Sequence, residues 1–113
     1  MVSQHNARSR IKPLVLLYIT TSNEDEAKKI SLHLLKKKFI ACANLFPIKS
    51  MYWWEGKVTN GEEVVLILKT LEKKCTQVTA EIKKIHSYNV PCILTIKAEG
   101  NEEYVKWVEK EIR

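Results

Sequence analysis

The side chains best suited to chemistry in this 113-residue chain are its histidines and cysteines. His86 directly follows a predicted helix, in a loop that also contains Tyr88 and Pro91. Neutral imidazole is a good ligand for copper or zinc, so His86 is a candidate metal ligand. The alternative is a structural role, in which a protonated His86 caps the negative end of the preceding helix. The sequence leaves both interpretations of His86 open.

Among the three cysteines, Cys92 is predicted to be the most accessible, because it follows Pro91 at the start of a strand. It could join His86 in holding a soft metal ion. Cys75 lies on the inner stripe of a predicted helix and Cys42 lies in an Ala-Cys-Ala strand, so both are predicted to be core residues. The wide spacing and the lack of a CxxC pair indicate reduced thiols in a cytoplasmic compartment.

No pattern of residues points to catalysis. The three glycines, Gly56, Gly61 and Gly100, are far apart and do not form a phosphate-binding loop. His33 is predicted on the polar face of a helix, and His5 lies near the amino terminus. Without an activated nucleophile or an acid–base pair, the sequence predicts that the protein is not an enzyme.

Length and charge limit the classes of partner. The chain fits a single domain over residues 13–113, preceded by a polar and basic tail, residues 1–12, which we expect to be disordered. The net charge of +6 comes from basic residues scattered along the chain, which does not favour a nucleic-acid or membrane partner. The longest fully apolar run covers only residues 14–19, too short to span a membrane.

Hydrophobic periodicity predicts the element order β-α-β-β-α-β-α, an α+β domain of the ferredoxin-like type. The first strand is apolar on both faces, which is typical of a central strand. Asn60-Gly61 favours a two-residue hairpin turn between the second and third strands. The predicted strands cover residues 14–19, 40–58, 63–70 and 92–98, and the predicted helices cover residues 22–38, 72–85 and 101–112.

The predicted central hairpin is long for a chain of this size, so its outer end should project beyond a compact monomer. It carries Tyr52, Trp53 and Trp54 in succession. Large aromatic side chains on an exposed ribbon favour a subunit interface, although stacking on nucleic-acid bases is the alternative. The hairpin therefore predicts self-association.

Residues 14–113 resemble the CutA divalent-cation tolerance family. The resemblance is carried by five stretches, which are residues 38–44, 50–57, 68–70, 86–91 and 104–107. It implies a ferredoxin-like subunit in a homotrimer similar to that of PII-type signalling proteins. It also implies a non-enzymatic role in tolerance of divalent cations, copper above all, without a required cofactor.

The resemblance places the expected ligand sites in clefts between subunits. In such a cleft we expect His86 and Cys92 as ligands for Cu²⁺ or another divalent cation, with Tyr88, Trp53 and Lys69 lining it. Four positions depart from the family pattern. Ile19 stands where bacterial relatives carry a cysteine implicated in copper binding, the His-Pro-Tyr-Glu motif reads His-Ser-Tyr-Asn in residues 86–89, and Cys92 replaces a carboxylate.

The alternative function is that of a PII-like trimeric module. In that role the trimer would bind a small anionic ligand through Lys69, or a partner protein, and would act as a signalling or scaffold component.

Overall fold

The computed structural model describes residues 10–113, which form one four-stranded sheet and three α-helices. The strand order is β2-β3-β1-β4 and every neighbouring pair is antiparallel. This confirms the predicted α+β class and ferredoxin-like order. The strands are β1 (Ile11–Thr21), β2 (Cys42–Trp54), β3 (Lys57–Thr70) and β4 (Ile93–Asn101), and the helices are α1 (Glu24–Lys36), α2 (Cys75–Ile85) and α3 (Glu102–Glu111).

The main hydrophobic core lies between one face of the sheet and the helices α1 and α2. Strand β1 contributes Val15, Leu17 and Ile19, which alternate along the strand and therefore point to the same face. Ile30 of α1 and Ile82 of α2 are fully buried against them. The predicted stripes of both helices face the sheet as expected, because apolar residues at helical spacing share one side.

Both ends of α1 have defined caps. Asn23 is the N-cap, and its side-chain oxygen accepts a 2.8 Å hydrogen bond from the Glu26 N–H. At the other end Lys38 adopts a left-handed conformation, with φ of 61°. Its N–H donates to Leu35 O and that of Phe39 donates to Leu34 O, the Schellman arrangement.

The second face of the sheet, here called the open face, is covered at only one end. Helix α3 lies over that end, where Lys12 Nζ pairs with Glu109 at 2.9 Å and Lys69 Nζ lies 5.3 Å from the centre of the Tyr104 ring. Further along the open face, Leu94 is 53% exposed and Ile96 is 45% exposed. Large apolar side chains thus remain in contact with solvent on this face of the isolated subunit.

The outer half of the β2–β3 hairpin extends beyond the rest of the sheet. The last β1–β3 pair is Thr21 with Val64, so residues 48–54 and 57–63 pair only with each other. We call this two-stranded segment the outer ribbon. The described chain measures 57 × 29 × 21 Å, and its radius of gyration is 16.3 Å, against roughly 13 Å for a compact domain of this length.

The predicted position of the hairpin turn is wrong. The turn lies at Glu55-Gly56, where φ is 50° and 77°, while Asn60 and Gly61 are inside β3 and pair with Met51 and Ser50. Positive φ at both central residues is the requirement of a type I′ turn. Asn-Gly meets that requirement in principle, but the register places Glu55-Gly56 at the turn.

Two further expectations need correction. Strand β1 begins at Ile11, so Ile11 and Lys12 belong to the sheet rather than to the predicted tail, whose residues 1–9 lie outside the described part. His33, expected to be solvated, joins α1 to α2 through a 2.8 Å contact between its Nε2 and Glu81 Oε1. Lys37 and Lys84 pair with the same carboxylate.

Candidate functional site

A cavity of about 620 Å³ lies where the outer ribbon meets the loop between α2 and β4. One wall comes from β1, one from the ribbon and one from the loop, since Tyr18, Tyr52 and Tyr88 all line it. The loop that follows α2 begins at His86, which is the C-cap residue of that helix. Thr20, Trp54, Glu63 and Cys92 also line the cavity.

Tyr88 and Glu63 connect the loop to the ribbon across the cavity. The Tyr88 hydroxyl donates a 2.7 Å hydrogen bond to Glu63 Oε2. Burial of the phenol, together with this bond and the Glu63 charge, raises the pKa of Tyr88 well above its ordinary value of 10. The phenol therefore stays protonated and remains a hydrogen-bond donor throughout the physiological pH range.

The His86 ring lies behind Tyr88, with ring centroids 4.7 Å apart, and its side chain is fully buried. Its Nε2 donates to Thr20 O at 2.8 Å, and its Nδ1 accepts from the Tyr88 N–H at 3.0 Å. A carbonyl can only accept and an amide N–H can only donate, so this pattern requires the neutral ring with its proton on Nε2. His86 thus fixes the loop to β1.

Glu26 fixes the same loop to the start of α1. Its Oε2 accepts from the Ser87 N–H at 2.7 Å, and its Oε1 accepts from the N–H and the hydroxyl of Ser22, both at 2.9 Å. Burial alone would raise the pKa of Glu26, but the hydrogen bonds from Ser22 and Ser87 outweigh it and lower the pKa from 4.5 to about 2. The carboxylate is therefore ionised at neutral pH.

Cys92 lines the cavity and its thiol is free, although it is half-buried like Cys42 and Cys75. Burial and the nearby Glu63 charge raise the pKa of this thiol, while a hydrogen bond with Thr20 acts in the opposite direction. A raised pKa means that the thiolate, the form that binds metal ions, is scarce at neutral pH. Metal binding at Cys92 would have to displace a proton.

Within residues 10–113 of one subunit, no three His, Cys, Asp or Glu side chains are grouped so that they could hold a metal ion. His86 Nε2 donates to the Thr20 carbonyl, and the Cys92 thiol is hydrogen-bonded with the Thr20 side chain. However, both ring nitrogens of His86 are already hydrogen-bonded. One chain therefore places His86 and Cys92 close to Thr20 but does not by itself form a complete metal site.

The remaining cleft residues are separated in the subunit. Tyr88 lines the cavity, but Trp53 and Lys69 do not. Trp53 is 74% exposed and points to the opposite face of the ribbon from Tyr52 and Trp54, because side chains alternate along a strand. Lys69 lies at the other end of the open face, over Tyr104.

Sequence reasoning missed Glu63 as a site residue, although a signal was available. Glu63 alternates with Val65 and Ile67 along β3, which places a carboxylate beside two apolar side chains on the same strand face. A charged group in such a position usually has a partner or a function. The partner, Tyr88, comes from a loop distant in sequence, so the pairing itself could not be read from the pattern.

Within residues 10–113, no helix is long and apolar enough to cross a membrane. The family model of the CutA1 divalent ion tolerance protein matches residues 15–111. The divalent-cation tolerance protein CutA of Archaeoglobus fulgidus is 43% identical over 97 residues, which cover 85% of this chain and 95% of that protein. Its namesake from Pyrococcus horikoshii is 40% identical over 101 residues, which cover 88% of this chain and 99% of that protein.

Solved structures agree with the sequence relatives. The periplasmic divalent cation tolerance protein CutA from Archaeoglobus fulgidus superposes with a TM-score of 0.86 at 40% identity, covering 90% of this chain and 100% of that one. CutA1 from Oryza sativa superposes with a TM-score of 0.86 at 35% identity, covering 89% and 94% of the two chains. The matched family, the aligned relatives and the shared fold together show that this chain belongs to the CutA1 divalent ion tolerance protein family.

Proposed function

We propose that this chain works as a non-enzymatic homotrimer in divalent-cation tolerance and binds a metal ion weakly in clefts between its subunits. The tolerance role is that of the family, whose members are named for it. We place the protein in the cytoplasm, a proposal supported by its three free cysteines, since a reducing compartment keeps thiols unpaired.

The proposed assembly is supported by the apolar side chains that remain exposed on the outer ribbon. Met51 is 76% exposed, and Trp53, Trp54 and Val58 are each at least half exposed. Strand β2 is also an edge strand, with a row of backbone groups free to pair with another chain. A second copy that paired with this edge would bury exposed apolar side chains of the ribbon such as Trp53, and the resemblance to the family implies that three copies close the ring.

The metal site is proposed to lie at the cavity, close to His86 and Cys92. In the neutral His86 ring, Nδ1 carries the lone pair, which is now used by the Tyr88 N–H. A metal ion bound there must replace that hydrogen bond, worth about 1 kcal/mol, and must also displace the proton of the Cys92 thiol. Both costs favour weak binding. Additional ligands are expected from a neighbouring subunit.

Titration with Zn²⁺ tests the metal site, because this ion does not oxidise thiols. We expect Zn²⁺ to bind the assembled protein, and Cys92→Ser to weaken that binding by about tenfold or more, because the thiolate ligand is lost. Cys75→Ser is the matched control, since Cys75 is another half-buried free thiol but does not line the cavity. Equal affinity in the wild type and in Cys92→Ser would overturn the proposed site.

A further inference from the structure

We propose that the same cavity is a binding site for a small organic molecule that carries a protonated amine, with Glu63 as the counter-ion. This inference requires neither metal binding nor the tolerance role. It rests on the charge, the walls and the size of the cavity.

The charge comes from Glu63, whose carboxylate is the only one among the described residues that line the cavity. Tyr88 donates to its Oε2, and within residues 10–113 no hydrogen bond reaches Oε1. The Tyr88 bond therefore holds the carboxylate in one orientation and leaves the second oxygen for a ligand. A protonated amine is the complementary group, because a charge-assisted N–H···O bond to a half-buried carboxylate is stronger than a neutral one.

The walls favour an organic cation over a bare metal ion. Four aromatic residues line the cavity, and these are Tyr18, Tyr52, Trp54 and Tyr88. Aromatic faces attract ammonium groups and also contact the hydrocarbon that such groups carry. A metal ion instead requires several oxygen, nitrogen or sulfur ligands at fixed distances, and residues 10–113 of one subunit do not group three of them.

Among residues 10–113, Lys49 is the only basic residue that lines the cavity, and its position does not oppose an organic cation. It is exposed and lies between Ile48 and Ser50 on β2, so its side chain points away from the face that Tyr52 and Trp54 share. Lys49 also lines a second groove, together with Glu62 and Glu63. It pairs with Glu62 across the hairpin, so the alternation along β2 directs its side chain to the Glu62 side.

The size of the cavity indicates the class of amine. A volume of about 620 Å³ falls in the range of small-molecule sites and is far larger than an ammonium group needs. The ligand should therefore carry an apolar body of its own, such as an aromatic ring on a short alkyl chain. A suitable probe is 2-phenylethylammonium.

Calorimetric titration of the full-length protein with three probes tests the inference. All titrations contain a chelator, so that the result does not depend on metal binding. We expect 2-phenylethylammonium to bind about tenfold or more tightly than the neutral 2-phenylethanol, and 3-phenylpropionate to bind weakest. The comparison uses the wild type alone, so it holds even if a variant is unstable.

Substitutions of Glu63 and Glu62 then test whether the preference for the amine over the alcohol depends on the Glu63 carboxylate. Glu63→Gln should remove the preference for the amine over the alcohol, while Glu62→Gln should keep it. Glu62 is the matched control because it precedes Glu63 on β3 and faces the other side of the hairpin. The proposal is overturned if the alcohol binds as tightly as the amine, if the carboxylate probe binds best, or if Glu63→Gln retains the preference.

Discussion

Two carboxylates and one imidazole determine where the loop after α2 lies. Glu26 accepts from Ser87, His86 bonds to Thr20, and Tyr88 donates to Glu63, so consecutive loop residues are tied to α1, to β1 and to β3. Each bond joins residues far apart in sequence, and each uses a largely buried polar group. Such groups stabilise a single geometry because an unpaired alternative loses hydrogen bonds without regaining water.

Glu26 contributes to the stability of the folded protein, and this contribution depends on pH. Folding lowers the pKa of Glu26 from 4.5 to about 2, so its ionised form stabilises the protein above pH 4.5. This contribution, on the order of 3 kcal/mol, is lost as the pH falls from about 4.5 towards 2. In Glu26→Gln we expect a lower free energy of unfolding at pH 7 and a shallower decline between pH 4.5 and 2.

Denaturant unfolding at a series of pH values measures this effect. Glu24→Gln is the control, because Glu24 lies in the same first turn but is exposed and, within the described part of the chain, forms an ion pair with Lys28 alone. Part of the decline should remain in Glu26→Gln, since hydrogen bonding from His33 also lowers the pKa of Glu81 to about 2. An unchanged slope in Glu26→Gln would show that this carboxylate is not held as described.

At the scale of elements, hydrophobic periodicity predicted the four strands and the three α-helices in the correct order. The failure was local, at the turn of the hairpin. Asn60-Gly61 has the stronger turn preference, yet the register that pairs Trp54 with Lys57 places the turn at Glu55-Gly56. That register pairs Cys42 with Lys69 and so aligns β2 with the part of β3 that also pairs with β1, a tertiary requirement that a dipeptide preference does not contain.

A pair of glycine substitutions tests the position of the turn. Gly56 has φ of 77°, so Gly56→Ala should lower the free energy of unfolding by about 1 kcal/mol. Gly61 lies within β3, and a methyl group there would meet only the Tyr52 hydroxyl at 3.8 Å, an ordinary contact. Gly61→Ala should therefore change stability by less than about 0.5 kcal/mol. Chemical denaturation of both variants at one protein concentration checks this, and the reverse ranking would contradict the observed turn.

At the scale of the whole molecule, the subunit has an elongated shape and an incompletely covered sheet. The outer ribbon projects past β1, and Leu94 and Ile96 stay exposed on the open face. The projection and the aromatic content of the ribbon were predictable from the length and composition of the hairpin. The exposed open face was not, because a strand that is apolar on both faces predicts cover on both sides.

The sequence predicted only part of the candidate site. The motif around His86 located the loop, and Tyr88 and Cys92 do line a cavity. The sequence could not show that His86 faces inward with both nitrogens bonded, nor that Lys69 and Trp53 lie elsewhere in the subunit. These facts depend on register and on contacts between distant segments, which periodicity does not encode.

Sedimentation equilibrium at micromolar concentration tests most directly whether the chain assembles as the proposed homotrimer. We predict a mass near three times the 13.1 kDa of one chain. Replacing the exposed Trp53 by a charged residue should shift the equilibrium towards smaller species, because it removes apolar surface from the interface. A wild-type mass near 13.1 kDa would contradict the assembly, and with it the proposal that clefts between subunits form the ligand sites.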